Sequence, residues 1–267
     1  MSLYNIIPAK GKRIPILISS PHSGILFADD LKNDFLEDKV ANPSDADWFM
    51  PELYNFASEM GITMITANLC RWNIDLNRDP KSAPLYNDGR LITGLCSTTT
   101  FEGEPIYKEG KEPNQSEIDR RLDKYFWPYY QKVQELLDDL KAEFGQVILY
   151  DLHSITRKVE AISSSDFPDI VLGDAEGKSA HADLIDIAVK NFEGSDYSFS
   201  HNDPFKGGHI TRYFGKPENG VHALQVERSK DIYMDEVKNE FDPVRSAKLR
   251  DLLKTNLLEL AEKVQQL

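Results

Sequence analysis

Short apolar runs alternate along the chain with longer segments whose apolar residues recur every three or four positions. This pattern predicts strands alternating with amphipathic helices. Residues 15–20, 61–67 and 147–150 read as buried strands. Residues 169–173 add another and 197–205 a further candidate. Residues 220–227 alternate well enough for a strand that carries Gln225 and Glu227 on one face. A helix is predicted to enter at Pro43-Ser44-Asp45, to show a stripe of Phe49, Leu53, Phe56, Ala57 and Met60, and to close at Gly61. The clearest helical stripe lies within 114–144: Ile118, Leu122, Phe126, Tyr129, Val133, Leu136, Leu140 and Phe144. Ser116 to Asp119 fits a capping arrangement at its start, and Pro128 predicts a kink. Residues 180–192 form another amphipathic helix that begins near a solvated His181, and the last helix starts at Asp242-Pro243. Residues 31–40 read as irregular or one loose helix. Residues 80–113 form a long loop region with one or two short strands around 91–95, and long loops in compact domains often build sites.

A helix followed by a buried strand is the crossover pattern of a parallel sheet, so the fold class is α/β with layered helices. The 267 residues, 40% of them hydrophobic, suffice for one domain spanning 1–267. No stretch approaches the roughly 20 apolar residues that span a bilayer, and the first dozen residues lack an apolar signal core. Two cysteines, Cys70 and Cys96, imply no disulfide framework and favour the cytoplasm. The net charge of −13, with no basic patch, argues against nucleic acid as a partner. An acidic small-molecule substrate then requires arginines gathered at its site.

Chemistry-bearing residues cluster where the apolar runs stop. The 147–150 run leads into Asp151-Leu152-His153-Ser154, and residues two apart on a strand put Asp151 and His153 on one side. The 15–20 run leads into Pro21-His22-Ser23-Gly24. The exit of 61–67 carries Arg71 and then Asp75-Leu76-Asn77-Arg78, residue types that bind anions and orient ligands. Ligands of open α/β sheets sit at the carboxyl ends of strands. Two imidazoles and one carboxylate form the donor set of a catalytic zinc with an open position, and Asp47 and Asp151 are the candidate carboxylates. Glu227 is available to shuttle protons, and arginines to stabilise an oxyanion and clamp a substrate carboxylate.

The set resembles the N-formylglutamate amidohydrolase family, zinc hydrolases related in fold to zinc carboxypeptidases and aspartoacylases. The matching pieces are Pro21-His22-Ser23-Gly24, Asp47, Arg71 with Asp75-Leu76-Asn77-Arg78, Asp151-Leu152-His153-Ser154, Gly173-Asp174, Pro204-Phe205-Lys206-Gly207-Gly208, and Gln225-Val226-Glu227 with Tyr233-Met234-Asp235-Glu236. The wider relatives often carry a Glu three residues after the first metal His; here that position is Ile25. The resemblance implies a three-layer α/β/α fold, phosphorylase/hydrolase-like, with a mixed, mostly parallel central sheet. It implies Zn2+ held by His22, Asp47 and His153. Asp75 accepts the free N–H of His22, and Asp151 is a further supporting carboxylate. Glu227 and Arg71 take the catalytic roles, Asn77 and Arg78 hold a substrate carboxylate, and Arg212 is a further anion-binding residue. The implied activity is hydrolysis of N-formyl-L-glutamate to formate and L-glutamate, in bacterial histidine breakdown. The rivals are a related zinc deacylase or amidase acting on another N-acyl amino acid or a cell-wall peptide, and a catalytically silent binding protein of the same fold.

Overall fold

The computed structural model describes residues 2–81 and 93–267. In chain order the strands and helices are β1 (Tyr4–Ile7), β2 (Ile16–Ser20), α1 (Glu37–Ala41), α2 (Met50–Leu53), β3 (Thr63–Ala67), α3 (Gln115–Arg121), α4 (Trp127–Phe144), β4 (Val147–Ile155), β5 (Ile170–Gly173), α5 (Ala182–Glu193), β6 (Phe199–His201), α6 (His209–Phe214), β7 (Val221–Ser229), β8 (Met234–Asp235), β9 (Glu240–Phe241) and α7 (Pro243–Val264). One seven-stranded sheet runs in the order β1-β3-β2-β4-β7-β5-β6. Its centre, β3-β2-β4-β7, is parallel, whereas β1 joins β3 and β5 joins β7 antiparallel. The sheet is therefore mixed and mostly parallel, as expected.

Alternation along the central strands divides the core into two layers. Ile16, Ile18, Tyr150, Leu152, Leu224 and Val226 pack with α5, α7 and the 50–62 region. Leu17, Leu149 and Ala223 pack on the other face with Tyr129, Val133 and Leu140 of α4 and with Ile210 and Phe214 of α6. Sheet and flanking helices make the three-layer α/β/α arrangement. Among the described residues, no helix is long and apolar enough to cross a membrane.

Several predicted elements differ from those observed. The helix predicted to run from Pro43 to Met60 shrinks to α2, because Phe49 at its N-terminus has left-handed backbone (φ 61°) and blocks propagation. Its stripe is still buried through Leu53, Phe56 and Ala57, so burial rather than helical order set the pattern. Asn114, not Ser116, caps α3 by accepting from the Glu117 N–H. The break expected at Pro128 is made by a wide π-helical turn over Leu122–Phe126. Pro128 then falls in the first turn of α4, where a missing N–H costs nothing. His181 is exposed, as expected, and also serves as the N-cap of α5, its Nδ1 accepting from the Asp183 N–H. The strand expected over 197–205 is only the three-residue β6. The strands expected around 91–95 fall partly outside the described residues, and 93–95 form none. β1 is a half-buried edge of four residues with no distinct period, so the pattern missed it.

The most consequential difference is the length of β4 and β7. The apolar run of β4 ends at Tyr150 but the strand continues to Ile155, and β7 continues to Ser229. Nine register pairs from Val147↔Val221 to Ile155↔Ser229 carry both strands through their polar residues. His153 and Glu227 therefore stand inside strands, held by ladder pairing, rather than just beyond strand ends.

Candidate metal and catalytic site

The site lies toward the carboxyl ends of β2, β4 and β7, on the sheet face that packs α4 and α6. Asp151 and His153 share parity with core-facing Leu149, and Gln225 and Glu227 share parity with Ala223. Register sets Asp151 opposite Gln225 and His153 opposite Glu227. His22 follows β2 in a tight turn. A Cβ on Gly24 would lie 2.4 Å from the carbonyl oxygen of Leu69, so glycine there lets the turn lie directly against the start of the Arg71–Arg78 segment. The non-helical path before α2 lets the Asp47 N–H donate to the His22 carbonyl at 2.9 Å, which ties the carboxylate to the histidine turn.

His22, Asp47 and His153 are all buried, and one ligand atom from each lies within 4.8 Å of the others. The two imidazoles face each other through Nδ1 at 3.2 Å. Asp47 Oδ2 lies 3.2 Å from His153 Nδ1 and 3.8 Å from His22 Nδ1. The opposite ring nitrogens are held by other carboxylates: His22 Nε2 by Asp75 Oδ1 at 2.7 Å, and His153 Nε2 by Asp151 Oδ2 at 3.0 Å. An ionised carboxylate only accepts, so each fixes an N–H at Nε2 and turns Nδ1 toward the common point. Asp151 thus meets His153 on the side away from Asp47.

The cluster fits a divalent metal on its own chemistry. Both oxygens of Asp47 are buried without a hydrogen-bond partner among the described residues, an arrangement that is costly for a carboxylate unless a cation completes it. Two ring nitrogens and one carboxylate oxygen are the zinc donor set that leaves a coordination position for water or substrate.

The electrostatics agree. Burial and the Arg71 guanidinium lower the His22 pKa to about 4, which favours the neutral ring. Burial opposes protonation of His153 as well, but Asp151 and Asp47 outweigh it and raise its pKa to about 10. The field that holds a proton on this ring equally favours a metal in the proton's place, since metal binding displaces ligand protons. Burial of Asp47 opposes ionisation, yet the two histidines and Arg71 keep its pKa below the ordinary value. Glu227 differs: burial raises its pKa to about 7 against the opposing field of His153, and its Oε2 has no hydrogen-bond partner among the described residues.

The residues from β3's exit divide in their contacts. Arg71 donates to Asp75 Oδ2 at 2.6 Å and lies 4.8 Å over the Phe101 ring. Asp75 therefore bridges Arg71 and His22; burial opposes its ionisation, yet Arg71, Arg78 and the His22 N–H hold its pKa well below the usual range. Asn77 has its Oδ1 engaged by the Ile210 N–H at 2.8 Å, while its Nδ2 lies 3.0 Å from His153 Nε2 and 3.4 Å from Gln225 Oε1. Its side chain is thus occupied by protein. A Cβ on Gly208 would overlap it at 2.2 Å, which explains a glycine at the mouth of α6. Arg78 donates to Thr93 through Nε and Nη2 and lies 3.8 Å from Asp75. Arg212 is tethered to the Gly207 carbonyl and makes no polar contact with His22, Asp47 or His153. His222 sits at the opposite end of β7, against Gln146 and the His181 N–H, away from the cluster. His209 packs among the rings of Phe126, Tyr130 and Tyr213.

Of three further contributors, one was visible in the sequence only in part and two not at all. Gln225 was legible only as a neighbour of Glu227 on a strand face, yet its Oε1 also accepts from Gly208 N–H. Phe101 comes from the long loop region and underlies Arg71, with no local pattern to mark it. Lys230 follows β7 and is buried, although its flanking sequence is polar.

Residues 14–234 match the family described as N-formylglutamate amidohydrolase. The N-formylglutamate deformylase of Pseudomonas putida is 38% identical over 227 residues, which cover 85% of this chain and 84% of that protein. The N-formylglutamate deformylase of Pseudomonas aeruginosa is 40% identical over 234 residues, 86% of each chain. The crystal structure of an N-formylglutamate amidohydrolase from Ralstonia eutropha JMP134 is similar with a TM-score of 0.82 at 26% identity, covering 100% of this chain and 99% of that one.

Proposed function

The chain belongs to the N-formylglutamate amidohydrolase family, and from that premise we propose that it hydrolyses N-formyl-L-glutamate to formate and L-glutamate with a zinc ion held by His22, Asp47 and His153. The observation that carries this reading is the convergence of two Nδ1 atoms on an otherwise unpartnered buried carboxylate. A zinc ion bound there lowers the pKa of water to about 7 and polarises a carbonyl.

The chain's own side chains supply the rest. Water adds to the formyl carbon, and the bond from that carbon to the amide nitrogen breaks. Glu227 takes a proton from the attacking water and returns it to the leaving amine nitrogen. A pKa near 7 suits both halves of that transfer. Arg71 stabilises the negative charge that develops on the formyl oxygen, itself held in place by Asp75 and the Phe101 ring. Asp75 and Asp151 keep the two rings in the ligating tautomer. Arg78 binds a substrate carboxylate, while the Asn77 side chain is held by the Ile210 N–H, and Arg212 is a further anion-binding residue. The same reading gives the enzyme a small-molecule substrate, no nucleic-acid or membrane partner, and a place in cytoplasmic histidine breakdown; the net charge of −13 supports the absence of nucleic acid.

The test is formate release from N-formyl-L-glutamate by the zinc-loaded protein, compared with N-acetyl-L-glutamate and a cell-wall peptide. Turnover selective for the formyl substrate supports the reading. Turnover of another acyl substrate with none on formylglutamate would reassign the enzyme to a related deacylase.

A further inference from the structure

Beside the histidine-aspartate cluster lies a second polar chamber that the catalytic roles leave unused. It is a cavity of about 80 Å³, walled in part by Ser44, Asp45, Phe101, Ser154, Thr156 and Lys230. This exceeds the roughly 10–15 Å³ that one water needs. Its walls adjoin the site: Asp45 stands two residues before Asp47, Phe101 is the ring beneath Arg71, and Ser154 to Thr156 close the end of the strand that carries His153. Asp47, Glu236 and Asp45 all act electrostatically on the Lys230 ammonium.

Lys230 is the anomaly of this chamber. It begins the short turn Lys230–Ile232 directly after β7 and is only 5% exposed. Its Nζ donates to the Ser44 carbonyl at 3.1 Å. An ammonium has three N–H donors, and among the described residues no carboxylate oxygen lies within ion-pair distance of this one. Arg71 holds Asp75 and Arg121 holds Glu117; Arg228 also lacks a carboxylate, but it donates to two carbonyls and to the Tyr54 hydroxyl and lies over the Tyr54 ring. Burial accordingly pushes the Lys230 pKa below its ordinary value. The carboxylates around it act from beyond ion-pair distance, so the buried ammonium remains costly, and an anion in direct contact removes that cost.

The chamber's two carboxylates do not fill this role. Asp45 is already engaged by the Trp72 indole N–H at 3.0 Å and the Phe101 N–H at 3.1 Å. Glu102 is exposed. The Ser154 hydroxyl, which accepts from the Tyr233 hydroxyl at 2.9 Å, and the Thr156 hydroxyl can donate to an anion's oxygens, whereas the Ser44 hydroxyl is directed to Asp45 Oδ1 at 3.3 Å.

We propose that Lys230 is a specificity-determining residue that receives the side-chain carboxylate of the substrate in this chamber, selecting a dicarboxylic N-acyl amino acid over one with a neutral side chain. The proposal rests on the formylglutamate reading for the identity of the substrate. Arg78 then serves the carboxylate on the α-carbon, and the two cations divide the two acids between them.

The test compares N-formyl-L-glutamate with N-formyl-L-norvaline, which replaces the distal carboxylate by a methyl group, in the zinc-loaded full chain. Lys230→Met should lower the ratio of their kcat/KM values roughly 10- to 100-fold, chiefly through KM for formylglutamate, the scale of a lost charge-assisted hydrogen bond. Lys230→Arg should restore part of the preference. Zinc content should stay at the parent level. An unchanged ratio, or an equal loss on both substrates, overturns the proposal. Lys230→Gln replaces the Met variant if that variant fails to fold. If the parent does not hydrolyse formylglutamate at all, the functional reading fails separately, and calorimetric binding of glutarate against butyrate decides for Lys230. Glutarate binding that Lys230→Met abolishes upholds the chamber as a carboxylate site. Glutarate binding that is absent, or that survives the substitution, overturns it.

Discussion

His22 and His153 turn their Nδ1 atoms toward each other, 3.2 Å apart, and their Nε2 atoms away, toward Asp75 and Asp151. Two buried rings that bonded to one another for packing alone would have no need of a carboxylate behind each. The opposed orientation leaves a point between them that Asp47 also approaches, and it assigns unequal parts to the carboxylates. His22→Ala, His153→Ala and Asp47→Ala should each lose bound zinc and activity, since each removes one of three protein donors. Asp151→Ala should retain a metal site and weaken it by about 10- to 100-fold, the usual effect of removing a group that orients a ligand. Zinc competition against a chromophoric chelator measures all four. Full zinc retention in Asp47→Ala with loss in Asp151→Ala would exchange the two assignments.

Glu227 shares the register position of His153 on the neighbouring strand but is not among the convergent ligand atoms. Glu227→Gln keeps the shape and removes the basicity. It should retain zinc at the parent level and bind formylglutamate normally, while kcat falls by roughly 10² or more. Stopped-time formate release with metal analysis of the same sample checks both halves. A variant that turns over at the parent rate would remove Glu227 from the proton transfers and move attention to Asp151.

Much of this architecture was legible from the chain. The alternation of apolar runs with helical stripes identified the central strands β2, β3, β4, β5 and β7 and the long helices α4, α5 and α7, because these bury whole faces whose period the sequence must show. His22 and His153 were legible because a histidine at the close of an apolar run interrupts that pattern. The 43–60 segment misled because burial demands apolar residues whether or not the backbone is helical, and nothing local announced the left-handed Phe49. The far ends of β4 and β7 were hidden because partner pairing, not apolar content, extends them. The Lys230 chamber was hidden for a related reason: its walls come from four separate segments, and only the fold brings them together.

The far end of β7 carries a separate pH dependence. Burial and the neighbouring His181 lower the pKa of His222 to about 4, from an ordinary value of about 6.5. The folded chain therefore binds fewer protons than the unfolded chain between these values. His222 contributes stability that is fully present above about pH 6.5 and is lost as pH falls toward 4. Urea unfolding across this range should show stability falling more steeply with acid in the parent than in His222→Gln, which cannot titrate. Parallel profiles for the two proteins would show that His222 is not the group responsible.

Hydrolysis is proposed to depend on the metal held by His22, Asp47 and His153. The most direct measurement strips the parent protein with a chelator, follows formate release from N-formyl-L-glutamate, and then restores zinc stepwise. Turnover should be lost on stripping and should recover to saturation at about one zinc per chain. Undiminished turnover in protein shown by metal analysis to contain no zinc or other divalent ion would contradict this dependence.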